Sequence, residues 1–88
     1  MKVVVLYRLN SEHSRIVEEF LHEFERRQPD RQVETIDPDS REGVAFVSLY
    51  DVMAYPAILA LANDGQLLKI WQGEQLPLIN ELAAYTMV

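Results

Sequence analysis

Residues 2–7, KVVVLY, form a continuous run of β-branched and aromatic side chains with no polar alternation. Such a run predicts a strand buried on both faces, in the middle of a sheet that has helices above and below it. From Ser11 the period changes. Ile16, Val17, Phe20, Leu21 and Phe24 recur at helical spacing, with Glu18, Glu19, His22, Glu23 and Glu25 on the opposite side. Arg15 stands one turn before Glu19, and Glu18 one turn before His22, spacings that permit weak surface pairs. Pro29 and Asp30 end this helix, and QVETI reads as a short strand whose polar residues suit a sheet edge.

The segment DPDSREG then turns the chain. Asp39 with Glu42 fits a capping box, and Val44, Val47 and Tyr50 share one face of a short second helix. VMAYP is read as extended, because the residue before a proline is pushed out of the helical region. The apolar runs AILALA and QLLKIW flank NDG, which predicts an antiparallel hairpin. Simple alternation along the second run puts Leu67 and Lys69 on the same side as Trp71, with Leu68 and Ile70 opposite. Trp71 is therefore expected in the core or beneath a helix rather than as a ligand platform. Gly73 closes that strand, Pro77 suits the first turn of a last helix, and Leu78, Ile79, Leu82 and Ala83 supply the helix's apolar face. The predicted order is β-α-β-α-β-β-α in one domain spanning residues 1–88, without repeats, low-complexity tracts or linkers.

Composition narrows the functional classes. The 88 residues are 49% hydrophobic and 25% charged, the balance of a globular domain with one core. The formal net charge of −6 repels phosphate backbones and anionic lipid, so neither nucleic acid nor membrane is expected as a partner. Arg26, Arg27 and Arg31 are interleaved with Glu23, Glu25 and Asp30 and read as a solvated mixed-charge face. The absence of cysteine removes disulfides, thiolate catalysis and thiolate metal sites. The first residues lack a signal-type apolar stretch, and no run approaches the ~20 residues of a membrane span, so a cytoplasmic location is expected. No cofactor is expected.

The candidate chemistry centres on NSEHS, residues 10–14, between the first strand and the first helix. Asn10 or Ser11 is expected to cap the helix by accepting from free N–H groups of its first turn. His13 raises the question of a Ser–His pair, but adjacent helical positions do not face each other and no acid is placed beside them. His13 and His22 fall on roughly opposite sides of one helix and make no metal pair. Asp37 and Asp39 fit a turn better than a calcium loop.

This order of elements resembles the thioredoxin-like fold, which implies an α/β domain with a four-stranded mixed sheet in the order 2-1-3-4. The first and third helices are then expected on one face and the second on the other. Aligning LYR and EEFL with the glutaredoxin pattern, without gaps, places Ser11 and Ser14 at the two positions of the Cys-x-x-Cys motif. YDVMAYP looks like the thioredoxin segment ending in a cis-proline that faces the active-site loop. The resemblance implies a cis bond before Pro56 and main-chain groups at Tyr55 that can pair with an extended ligand. NDG and Gly73 match the family's hairpin turn and late-strand glycine. Three features depart from the pattern. Both cysteines are absent, Val5 stands near the place of the buried acid of thioredoxins, and Glu74 replaces the second glycine of the glutathione-binding pair.

Taken together, the resemblance implies a redox-inactive, cysteine-free domain that binds a protein or peptide. The binding groove is expected near Tyr7, Leu9, Asn10, Ser11, His13, Tyr55 and Pro56. One alternative is a glutathione-binding or transferase-like enzyme using Ser11 or Tyr7. Another is a regulatory adaptor similar to the clock protein KaiB, whose start also has a Leu-Tyr strand followed by Asn and Ser.

Overall fold

The computed structural model describes residues 2–29, 33–73 and 76–85. The expected helix stop at Asp30, the charge of Arg31, the strand start at Gln32 and Glu74 after Gly73 lie outside the described residues. The elements are β1 (Lys2–Leu6), α1 (Ser14–Arg27), β2 (Val33–Ile36), α2 (Arg41–Tyr50), β3 (Ala57–Leu61), β4 (Leu67–Gln72) and α3 (Ile79–Ala84). They build one four-stranded sheet in the order β2-β1-β3-β4. β1 runs parallel to β2 and antiparallel to β3, and β3 runs antiparallel to β4.

The apolar run of β1 has the physical cause read from the sequence. Val3, Val5 and Tyr7 face a cluster with Val17, Leu21 and Phe24 of α1, Leu82 and Ala83 of α3, and Ile58. Val4 and Leu6 face the other way, into a cluster with Ile36, Val52, Ala57, Leu59 and Leu61, against which Phe46, Val47 and Tyr50 of α2 pack. α1 and α3 thus cover one side of the sheet and α2 the other. Both central strands are apolar at every inward position, and among the described residues no polar or charged residue is buried. Burial of each such Val, Leu or Phe contributes roughly 1.5–3 kcal/mol against the entropy of ordering the chain.

Several boundaries and faces differ from the expectation. α1 begins at Ser14 rather than Ser11: Asn10 is left-handed (φ 63°), and residues 11–13 form a turn in which the Ser14 N–H donates to the Ser11 carbonyl at 3.2 Å. The first residue of the predicted apolar face, Ile16, is 58% exposed. In α2 the cap is Ser40, not Asp39. The Ser40 hydroxyl oxygen accepts from the Gly43 N–H at 3.0 Å and donates its own proton to the Asp37 carbonyl at 2.6 Å. The buried face of α2 rotates accordingly to Phe46, Val47 and Tyr50, leaving Val44 exposed. In α3, Pro77 precedes the helix instead of lying in its first turn, and Leu78 is exposed, with its N–H donating to the Glu81 carboxylate at 3.1 Å.

The hairpin is present, with Gly65 at φ 91° in its turn, and it carries one irregularity. Ala60 pairs with Lys69 but Leu61 with Leu67, so β4 holds one extra residue. A one-residue slip reverses which face a side chain occupies. Leu67 therefore joins Ile70 on the α2 side, and the alternation expected for Leu67 beside Trp71 is overturned. Trp71 packs against the α1–α3 cluster, edge-on to Tyr85 with ring centroids 5.5 Å apart.

Candidate functional site

Three segments meet at the end of the sheet: the loop from Tyr7 to His13, the turn ahead of α2, and the loop before β3. Arg8 joins them. Its guanidinium donates to both carboxylate oxygens of Asp39, at 3.0 and 3.3 Å, and lies 4.7 Å from the centroid of the Tyr55 ring. Its carbonyl accepts the Ser11 hydroxyl proton, and its N–H donates to His13 Nε2 at 3.3 Å. With Nε2 accepting, Nδ1 is the ring nitrogen left to donate. The hydrogen bond and charge of Asp39 raise the guanidinium pKa above its ordinary value, keeping the cation fixed.

The loop before β3 is anchored from β4. Gln72 Oε1 accepts from the N–H groups of Met53 (2.7 Å) and Ala54 (3.2 Å), and the Gly73 N–H donates to the Pro56 carbonyl at 3.0 Å. Gly73 has φ 92°, a conformation open to glycine and strained for other residues. The Tyr55–Pro56 peptide is cis.

Ser11 and Ser14 do not cap α1 through their side chains. The Ser14 hydroxyl donates to the Ser11 carbonyl at 2.9 Å, and the Ser11 hydroxyl to Arg8 as above. Both protons are held by backbone oxygens, and the residue preceding α1, His13, makes no side-chain cap. Asn10 turns the chain through its left-handed backbone and likewise makes no cap. The His13 ring bonds to the Arg8 backbone rather than to either serine, so no Ser–His relay forms among the described residues. Nor does any group of three His, Asp or Glu side chains among them converge as a metal site.

Of the predicted groove residues, His13, Tyr55 and Pro56 border one open depression and Tyr7 and Leu9 another, while Asn10 and Ser11 line neither. One is lined by Glu12, His13, Ile16, Tyr55 and Pro56. The other, lined by Tyr7, Leu9, Thr35, Ile36 and Asp37, lies at the ends of β1 and β2. Tyr7 is 9% exposed, and its burial, with a smaller contribution from the Glu18 charge, raises the phenol's pKa above its ordinary value. Glu12, Ile16 and Arg8 were not singled out by sequence reasoning. For Ile16 the helical period pointed to the core, and for Arg8 the decisive partner is 31 residues away. No helix among the described residues is long and apolar enough to cross a membrane.

The chain matches no known protein family and no curated protein. Solved structures do resemble it. Thioredoxin 1 from the thermophilic eubacterium Thermosipho africanus TCF52B superposes with a TM-score of 0.69 at 16% identity, covering 97% of this chain and 93% of the thioredoxin. A malarial protein of solved structure gives a TM-score of 0.69 at 18% identity, with 100% of both chains covered. Superposition over nearly the whole of each chain, together with the sheet order β2-β1-β3-β4, leaves one conclusion: the chain has the thioredoxin-like fold, carried by a sequence without cysteine.

Proposed function

We propose that this domain is a non-catalytic binding module that recognises an extended segment of a partner protein beside the loop of Tyr55 and Pro56. The observation that carries the reading is the open depression in which exposed Ile16 lies with Tyr55, Pro56 and His13. Beside an aromatic ring and a proline, the exposed Ile16 side chain offers an apolar seat. The main chain of Tyr55 supplies a donor and an acceptor to a strand-like ligand, and the apolar seat supplies side-chain selectivity. Without cysteine, disulfide exchange at these residues has no nucleophile.

The glutathione or transferase reading is less well supported. It needs a hydroxyl directed at a thiol, and the Ser11 proton is held by the Arg8 carbonyl while Tyr7 is buried and lines the other depression. The KaiB-like adaptor reading is a form of binding function, and the antiparallel β3–β4 hairpin and Gly73 align this chain with thioredoxins instead.

The test is selection of binding peptides from a displayed random library, followed by titration of the selected peptides into wild type and Ile16→Asp. Because Ile16 is exposed, the variant folds normally. We expect its affinity for the selected peptides to fall about tenfold or more, as for an apolar anchor residue. Peptides that bind both proteins equally would rule out the depression as the binding surface.

A further inference from the structure

We propose that the depression is selective for a cationic segment, an extended peptide whose apolar residue seats on Ile16, Tyr55 and Pro56 and whose neighbouring Lys or Arg faces Glu12. This inference rests on the binding reading above and adds the chemistry of the partner.

Glu12 is the one acidic residue lining the depression, and it is exposed. Among the described residues it forms no ion pair. The basic residues nearest to it in sequence are each engaged elsewhere. Arg8 is held by both oxygens of Asp39, and Arg15 pairs with Glu19 at 3.4 Å. No lysine or arginine lines the depression. An anionic ligand such as glutathione therefore meets a carboxylate there, in a chain whose formal charge is already −6. A cationic ligand meets a complementary local charge and is also drawn by the longer-range field, which rim charges of this kind express mainly in specificity and association rate.

The hydrogen bonding agrees with a peptide occupant. His13 Nε2 is taken by the Arg8 N–H, so Nδ1–H is the donor left on a ring that lines the depression. The site thus combines an apolar floor, one N–H donor suited to a peptide carbonyl and one carboxylate suited to a basic side chain.

The experiment uses the 88-residue chain and two extended ten-residue peptides, identical around a central Leu except that one carries Lys on both sides of it and the other Glu. Binding is followed by amide chemical shifts of Ile16, Tyr55 and their neighbours, with 10 mM glutathione as a third probe. We expect the Lys peptide to bind several-fold more tightly than the Glu peptide, with the preference shrinking at high salt. Glu12→Gln should weaken the Lys peptide roughly two- to fivefold, the range of an exposed ion pair, and leave the Glu peptide equal or better. Equal binding of the two peptides, tighter binding of the Glu peptide, or glutathione shifting the same amides would overturn the charge selectivity while leaving the groove in place. If neither peptide shifts these amides, the charge selectivity and the binding reading both fail.

Discussion

Val5 and Arg8 lie three residues apart on one stretch of chain, yet they are held in opposite ways. Val5 is sealed in a cluster of apolar side chains from β3, α1 and α3, where the contact has no preferred direction. Arg8 lies at the exposed end of the sheet, held by two directed bonds to Asp39, a ring contact with Tyr55 and two bonds through its backbone. The sheet centre is stabilised by the amount of apolar surface it removes from water. Exposed pairs at the end of the sheet add little stability but fix the shape of the depression. The contrast teaches that in this domain the buried core and the polar contacts around the candidate site are built from separate sets of residues, although the chain passes from one to the other within a single turn.

The sharpest way to break this division is to cut into the core. Phe24→Ala removes a fully buried ring from the α1–α3 cluster and should cost about 3–5 kcal/mol in urea denaturation. For a domain with roughly 5–15 kcal/mol of total stability that is a large share. A loss below 1 kcal/mol would show that the cluster does not hold the fold.

A smaller effect is expected from Gly43, which lies outside both clusters yet tolerates no side chain. A Cβ there would overlap the Asp37 carbonyl oxygen and lie 2.7 Å from Pro38 Cα. Gly43→Ala should therefore destabilise by about 1–3 kcal/mol and also shift the NMR signals of Asp39 and Arg8, because the same turn positions both. Unchanged signals would separate the turn from the site.

The smallest effect concerns the solvated face. Hydrogen bonds from Arg26, then Arg27, hold the Glu23 carboxyl below the usual carboxylate range. A carboxyl with a lowered folded-state pKa stabilises the fold above its unfolded-state pKa, and that contribution is lost as pH falls through the folded-state value. Glu23→Gln should flatten the acid side of the stability profile slightly, and added salt should do the same to wild type. An unchanged acid limb would assign no role to these pairs.

Much of the fold was legible because burial leaves periodic marks. The unbroken run KVVVLY required a central strand, and NDG between apolar runs required the hairpin. The misreadings occurred where one local choice displaced another. A turn over residues 11–13 occupies the expected start of α1 and Ile16 stays exposed, Ser40 took the cap from Asp39, and one extra residue in β4 carried Leu67 across the sheet. The shifts at the α2 cap and in β4 are each a single residue in the chain, and the one in β4 is a change of face in space.

The sequence by itself determined the order of elements, the two-sided burial of β1 and, through the absence of cysteine, the loss of disulfide chemistry. Those properties depend on local periodicity and on which atoms are present. The tertiary structure alone decided that Arg8 binds Asp39 and Tyr55, that the hydroxyls of Ser11 and Ser14 close onto backbone carbonyls, and that Ile16 borders an open depression with Glu12 and Pro56. Directed bonds and shared surfaces depend on distances between segments remote in the chain, and only the folded sheet sets those distances.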